Sequence, residues 1–497
     1  MGEEKRVLVF DFGASGGKAF LAWRDGDGIR LEEVRRFQNE PVEENGALRW
    51  NVPKLFGELK EGLARARENG GFASVAVDTW GVDFGLLDGS GRLMENPVHY
   101  RDVRTRGMIA KSAAYIKEER LYGITGIQTM EINTAFQLLS LSGSGILERA
   151  DRLLMMPDLF NYFLTGMQST EYTIATTTQL LDAKSRTWSR EVCESLGIPT
   201  RLFTGIAPPG RTVGLLSGSI QAELGLPGVS VVSAASHDTA SAVAAVPASE
   251  KDFIFISCGT WSLLGTELGG PVIDEASHGY GLTNEGGFGG TTTFLKNIVG
   301  LWLIQECRRE WKRQGKEYSF AELEAAARKA RPLACFVDPN APDFTAPGDL
   351  PARVRAFCEK TGQYVPRSDG EVVRCVYDSL ALEYRRCVRQ VGECTGKGYS
   401  AVHIVGGGAK DSLLCSLTAD ACGLPVFAGP AEATALGNAA VQMISLGILP
   451  DLETARRCIA DSQKITRYPP EGTSEWEPAY GCYEKILRTY PLILGKS

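Results

Sequence analysis

Val7-Leu8-Val9-Phe10 is a run of apolar residues ending at Asp11, and it predicts a buried strand. Gly13-Ala14-Ser15-Gly16-Gly17 reads as a tight turn, and Ala19 to Trp23 as a second strand, so the chain opens on a hairpin. The same pattern returns about half a chain later. Phe253 to Ser257 predicts a strand, Cys258-Gly259-Thr260 a turn and Ser262 to Thr266 a second strand. Such internal similarity predicts two domains built on one plan, residues 1–245 and 246–497, joined between Ala242 and Lys251. Further short apolar strands are expected at Ser74 to Asp78, Val231 to Ala235 and Ala401 to Val405. Val373, Val376, Tyr377, Leu380, Tyr384, Cys387, Val388 and Val391 recur at helical spacing and predict an amphipathic helix over 371–391. A helix over roughly 411–422 stops at Gly423, and Leu295 to Trp302 is expected to open another that runs through Gln305 and Cys307. Strands alternating with helices make both halves α/β.

Composition narrows the class. Of 497 residues, 43% are hydrophobic and 23% charged, which excludes wholesale disorder and fibrous chains. The balance of 53 basic and 60 acidic residues, 53 − 60 = −7, argues against nucleic acid or an anionic membrane as partner. No apolar stretch approaches the ~18 residues of a spanning helix. The first residues lack the apolar core of a signal peptide, and Arg6 stands where a myristoylation pattern wants Ser or Thr. The expected compartment is the cytoplasm. Twelve cysteines without a C-x-x-C pair, and only four histidines, are read as reduced, buried thiols rather than a structural zinc site. The oligomeric state is left open.

Several segments carry candidate chemistry. Gly13-Ala14-Ser15-Gly16-Gly17 matches G-x-S-x-G, but a nucleophile elbow needs a helix after the turn, and here a strand follows. A Walker A loop fails as well, because Phe12 holds the first glycine position and Ala19 follows Lys18. What remains is either a plain hairpin turn or a nest of backbone N–H groups for an anion, with Lys18 adding charge and Asp11 able to hold a metal through water. Ser257 to Trp261 is the counterpart in the second half. Ser236-His237-Asp238-Thr239 follows a strand, where α/β proteins place their chemistry. Adjacent Ser, His and Asp cannot form a relay, so Asp238 is either a general base or the cap of the helix that follows. In Val77 to Phe84, two carboxylates, Trp80 and Gly81 suit a sugar, or make a strand–turn–strand corner. Trp80, Val82 and Phe84 are candidates for an apolar wall, and Asp78, Asp83, His237 and Asn297 for contacts to hydroxyls. Tyr100-Arg101-Asp102 and Asn284-Glu285-Gly286-Gly287, taken alone, read as solvated loops.

In their order along the chain, from about residue 6 to about residue 446, these segments resemble the FGGY family of carbohydrate kinases. The resemblance rests on D-F-G-A-S-G-G-K at 11–18, D-T-W-G-V-D-F at 78–84, Y-R-D at 100–102 and P-D-L-F at 157–160. It continues with A-T-T-T-Q-L at 175–180, S-H-D-T-A-S-A-V at 236–243, G-T-W-S-L at 259–263, N-E-G-G at 284–287 and K-N-I-V-G-L-W-L at 296–303. It implies the two-domain, ribonuclease H-like fold of actin, Hsp70 and hexokinase, with an interdomain cleft. It implies ATP held by Ala14, Ser15, Gly16, Gly17, Lys18, Thr260, Gln305 and Gly407, and a ketose held by Gly81, His237, Asp238, Thr239 and Asn297. Asp238 would take the proton of the C1 hydroxyl, and Mg2+ would bridge the β- and γ-phosphates with Asp11 nearby through water. The runs at 78–84 and 175–180 resemble members that act on L-rhamnulose, so the implied products are L-rhamnulose 1-phosphate and ADP, in L-rhamnose catabolism. Another ketose such as L-fuculose is the alternative within the family, and a catalytically silent sugar or nucleotide sensor the alternative outside it. The sensor has no reason to keep Asp238. Two positions depart from the family pattern. Lys18 stands where Arg is frequent, which keeps the charge but not a planar bidentate contact. Asp411 follows Gly406-Gly407-Gly408 at a place where Asn is usual two residues on, which bears on side-chain contacts to adenosine and leaves the backbone contact at the glycines.

Overall fold

Residues 5–494 are described by a computed structural model, in which the first predicted hairpin is strand Val7–Phe12 paired antiparallel with Gly16–Asp25. Gly28–Gln38 extends the hairpin on one side. On the other side Ser74–Thr79 pairs parallel with Val7–Phe12, and Ser230–Val232 parallel with Ser74–Thr79. Thr212–Leu215 closes the six-stranded sheet. The parallel strands are mostly apolar because both faces are covered, with Asp11, Asp78 and Thr79 at their carboxyl ends. Val7, Leu8, Val9 and Phe10 are fully buried, as are Val75, Ala76 and Val77. Helix Val52–Glu68 presents Val52, Leu55, Leu59, Leu63 and Ala66 on one face, and Asn51 caps its start by accepting from the Lys54 N–H.

The chain divides into two compact units. Unit 1 holds the residues up to Ser249 together with Glu267–Phe294 and Ala433–Gln463; unit 2 holds Glu250–Thr266, Leu295–Glu432 and the residues from Lys464 on. Unit 2 repeats the plan of unit 1. Ile254–Cys258 and Trp261–Leu268 form an antiparallel hairpin, and Val402–Val405 and Val426–Ala428 add parallel strands beside it. Helix Asp369–Thr395 covers and exceeds the predicted 371–391, opening with a capping box between Ser368 and Glu371. Helix Ser412–Cys422 is capped by Asp411 and ends at Gly423, as expected. No helix among the described residues is long and apolar enough to cross a membrane.

Two sequence expectations fail here. The stretch from Leu295 does not open a helix: Thr292–Val299 is a strand, and the helix is Trp302–Arg313. Thr292, Thr293, Ile298 and Val299 are β-branched, and the strand is buried on both faces, so no alternation reveals it. Asn284 to Gly286 is not solvated loop but lies within strand Thr283–Gly286, buried along its whole length.

Candidate active site

In unit 1 the candidate residues gather at the carboxyl ends of the parallel strands. After Val232 the chain runs on beside Ser74–Thr79: the Thr79 N–H donates to the Ser236 carbonyl at 2.9 Å, and Thr79 bridges to His237. Helix Asp238–Ala244 begins there. His237, not Asp238, is its N-cap, so the cap reading of Asp238 does not hold and Asp238 is the first residue of the helix. Its side chain is 32% exposed, enough for a substrate hydroxyl to reach it. The Thr239 hydroxyl donates to Asp238 Oδ1 at 3.2 Å, and His237 Nε2 lies 3.4 Å from the same oxygen. Burial raises Asp238 above the usual carboxylate range, while the charge of His237 pulls it back. Burial disfavours the charged form of His237, but Glu285, Asp238 and Glu171 together outweigh it and raise its pKa. His237 Nδ1 lies 3.1 Å from Glu285 Oε2, an ion-pair contact.

Sequence reasoning missed the residues that hold this group. Glu171, fully buried, accepts from the N–H groups of Thr173, Ile174 and Ser236 and from the Thr173 hydroxyl, and the His237 N–H donates to that same hydroxyl. Asp158, of the P-D-L-F run, accepts from the Glu171 N–H at 3.0 Å. Burial lifts Glu171 to about 7, well above an ordinary glutamate. A carboxyl with a raised folded-state pKa stabilises the fold fully below its unfolded value, and that contribution is lost as the pH rises through the folded value. Between pH about 4.5 and 7, wild-type stability should therefore fall more steeply with rising pH than that of Glu171→Gln. Urea midpoints across this window test it; parallel curves would show that Glu171 is ionised throughout.

The loop carrying Gly81 is rigidly held. Val82 has φ +66°, a strained value for a β-branched residue. The Thr177 hydroxyl meets its N–H, and its carbonyl accepts from the Thr134 hydroxyl and the Gln137 amide. Asp83 does not reach a sugar: it is fully buried and accepts from the indoles of Trp50 and Trp80 at 2.6 and 2.9 Å and from Gln137 at 2.9 Å. Burial raises it to about 6. Trp80 lies against Trp50, with ring centroids 4.1 Å apart. Asp78 is also fully buried; Oδ2 accepts from Asn438, while Oδ1 has no hydrogen-bond partner. Burial, and next the charge of neighbouring Asp11, raise Asp78 strongly. Asp11 pairs across the sheet with Asp78 on one side and Lys18 on the other.

In the first hairpin turn the carbonyls are tied back into the protein. Gly16 O accepts from the Gly13 N–H, Ser15 O from the Asn39 N–H and Gly13 O from the Asn39 amide. The N–H edge of Ala14 and Ser15 is what the turn offers to an anion. Lys18 lies on the strand that leaves it.

Unit 2 brings together Thr260, Gln305 and Gly407. The Thr260 carbonyl accepts from the N–H groups of Gly300 and Trp302, which seats helix Trp302–Arg313 on the hairpin turn, and the Thr260 hydroxyl lies 3.4 Å from Gln305 Oε1. A Cβ on Gly408 would fall 2.2 Å from the Cys258 sulfur, whereas one on Gly407 would meet nothing within 4 Å. The glycine run is thus pressed onto the turn at one residue and open at the next, a ledge a flat ring can lie on. Asp411, the departure from the family pattern, accepts from the Leu414 N–H and the Tyr377 hydroxyl, so it is committed to the helix start. Asn297 is half-buried on strand Thr292–Val299.

Profiles of the FGGY family of carbohydrate kinases match along the chain, the N-terminal domain over residues 6–245 and the C-terminal domain over residues 254–446. A rhamnulokinase of Bacteroides thetaiotaomicron is 38% identical over 98% of this chain and 100% of its own length. One of Enterococcus faecalis is 41% identical over 93% of each chain. Among solved structures, a ligand-bound xylulose kinase from Lactobacillus acidophilus superposes with a TM-score of 0.83 at 17% identity, covering 99% of each chain. A glycerol kinase from Plasmodium falciparum with ADP superposes with a TM-score of 0.77 at 14% identity, covering 98% of each chain. These are two-domain α/β kinase folds, as expected from the sequence.

Proposed function

The chain belongs to the FGGY family of carbohydrate kinases, and from that premise we propose that it is a cytoplasmic, ATP-dependent kinase that phosphorylates L-rhamnulose at C1. The single observation that carries the chemistry is Asp238, part exposed at the carboxyl end of the strand layer, with His237 and Thr239 against its carboxylate. Asp238 takes the proton of the C1 hydroxyl as that oxygen attacks the terminal phosphoryl group of ATP; ADP leaves, and Asp238 returns the proton to solvent. Glu171 and Thr173 fix the Ser236–His237 backbone, so the base is oriented before substrate arrives. His237, favoured in its charged form by Glu285, lies beside the Asp238 carboxylate and orients a sugar hydroxyl. Gly81, on its braced loop, lets the ketose approach the backbone, and Thr239 and Asn297 complete the set proposed to hold it.

On the nucleotide side we assign Ala14 to Lys18, Thr260, Gln305 and Gly407. The N–H edge of the first turn and the open face of Gly407 fit a phosphate chain and a base respectively. The acidic pair fits a divalent cation: Asp78 Oδ1 is buried without a hydrogen-bond partner, and Asp11 adds a second charge. Mg2+, when bound, supplies neutralisation of the phosphate charges, with Asp11 holding it through water. All twelve cysteines are free thiols, in keeping with the cytoplasm.

A methyl group against an apolar wall is worth only ~1–3 kcal/mol, whereas a misplaced hydroxyl leaves buried polar groups unpaired. In a coupled ADP-release assay, kcat/KM should be highest for L-rhamnulose, lower but measurable for L-fructose, and far lower for D-xylulose and glycerol. A preference for L-fuculose or D-xylulose would overturn the substrate and leave the kinase; no turnover of any ketose would overturn the kinase.

A further inference from the structure

We propose that Arg456 is a positioning residue for phosphoryl transfer: it grips the carboxyl end of helix Asp238–Ala244 and so holds Asp238 in place while the two units move. This role rests on Asp238 being the base. Helix Asp238–Ala244 has only seven residues, and two turns have little stability of their own, so its direction is set by whatever holds its ends. Its amino end is tied through Glu171 and Thr173, which accept from the N–H groups of Ser236 and His237. At its carboxyl end the last carbonyls lack full partners within the helix. There Arg456 Nη2 donates to the Val243 carbonyl at 3.0 Å, and Nε to the Ala244 carbonyl at 3.3 Å. A cation at this end also meets the negative pole of the helix dipole.

The guanidinium is itself held. The same Nη2 donates to Glu267 Oε2 at 3.0 Å, and Glu267 Oε1 accepts from the Thr291 hydroxyl at 3.0 Å. The Arg456 and Glu267 side chains are 13% and 12% exposed, so water and salt screen the pair little. Helix Leu452–Ser462, which carries Arg456, is anchored to the first sheet: the Ile29 N–H donates to the Ser462 hydroxyl at 3.1 Å, and the Gln463 amide donates to the Ile29 carbonyl at 3.0 Å. All these residues belong to unit 1, and they lie where the chain leaves or re-enters it. The chain passes between the units after Ser249, before Glu267 and after Gln463. Arg456 thus joins, inside unit 1, the approaches to three passages. Movement of one unit against the other bends the chain at such passages, and the clamp stops the bend short of the base. The two carbonyls and the carboxylate together suit the planar fork of Arg, which a lysine ammonium does not reproduce.

The test variant is Arg456→Met combined with Glu267→Met. It removes the grip without leaving a buried charge unpaired, so the protein should fold. KM for L-rhamnulose, and Kd from calorimetry, should stay close to wild type. In contrast, kcat should fall ~10-fold or more, since a misplacement of about 1 Å can cost ~10²-fold. Amide exchange at residues 241–245 should quicken, and exchange in helix Val52–Glu68 should not. Arg456→Lys keeps the charge without the fork, so it should fold and show a smaller drop, again in kcat alone. Added to Asp238→Asn, the Arg456 change should lower kcat no further, because it acts through the base. Arg457→Met, at the exposed neighbour, is the control and should leave kcat unchanged. Wild-type kcat in either Arg456 variant, or a full further loss on top of Asp238→Asn, would overturn this role and leave the base standing. Near-normal turnover in Asp238→Asn alone would overturn the base, and this role with it.

Discussion

Asp238→Asn should bind L-rhamnulose nearly as wild type does and turn it over at least ~10²-fold more slowly, the usual cost of losing a general base. Asn preserves the shape and keeps an oxygen for the Thr239 hydroxyl, so the start of helix Asp238–Ala244 survives. What disappears is a group that can accept a proton, along with a negative charge at a helix N-terminus worth ~0.3–1 kcal/mol to stability. The split between KM and kcat separates a base from a ligand: a sugar ligand would raise KM, whereas a base lowers kcat. The pH profile separates them again. Burial raises Asp238, so wild-type kcat should fall on the acid side at a pH above the ordinary carboxylate range, and the variant should lack that limb. Near-normal turnover in the variant would show that the hydroxyl gives up its proton without Asp238.

Both hairpins were legible because their strands are contiguous apolar runs closed by glycine-rich turns, local signals that tertiary packing does not reverse. Helix Asp369–Thr395 was legible through its spacing: every residue from Val372 to Arg385 is buried, yet the large apolar ones still recur at helical period. Thr292–Val299 was not, because a strand buried on both faces has no alternation to read. The site divides in the same way. His237, Asp238 and Thr239 are neighbours in sequence and stand out at once. Glu285 is brought beside His237 only by strand Thr283–Gly286, and nothing in N-E-G-G distinguishes a buried acid from a solvated one. Glu171 carried a fainter signal, an acid directly before Y-T-I-A-T-T-T that caps helix Tyr172–Thr176. Asp83 shows the opposite error. Beside Trp80 and Gly81 it has the composition of a sugar contact, yet two indoles and an amide take up its oxygens. Residue types in a short window indicate what a site could bind, while burial decides which of them are left to bind it.

Gly437→Ala should be among the most damaging single-methyl changes in unit 1, although alanine is the better helix former. Helix Ala433–Ser445 crosses helix Asp238–Ala244 so closely that a Cβ on Gly437 would lie 1.8 Å from the Ser241 carbonyl oxygen and 2.6 Å from its carbon. These are backbone atoms, so no side chain can rotate away, and the helices must part by roughly 1 Å. The later helix cannot slide to give that room. Asn438 donates to Asp78 at 2.6 Å, and Gln442 donates to the Leu8 carbonyl at 3.0 Å and accepts from the Ser74 hydroxyl at 2.7 Å. The strain therefore falls on the helix that begins with Asp238. We expect a loss on the order of 3 kcal/mol in stability, in line with severe overpacking. In whatever folds, kcat should fall as well, because a misplacement of about 1 Å can cost ~10²-fold. Gly57→Ala is the control. Gly57 lies inside helix Val52–Glu68 with nothing within 4 Å of a Cβ, so the same added methyl should stabilise by ~0.5–1 kcal/mol and leave kcat unchanged. Urea unfolding of the two variants beside wild type reads both signs in one experiment. Equal midpoints for Gly437→Ala and wild type would mean that the two helices yield, and that Asp238 is held by the Glu171–Thr173 clamp.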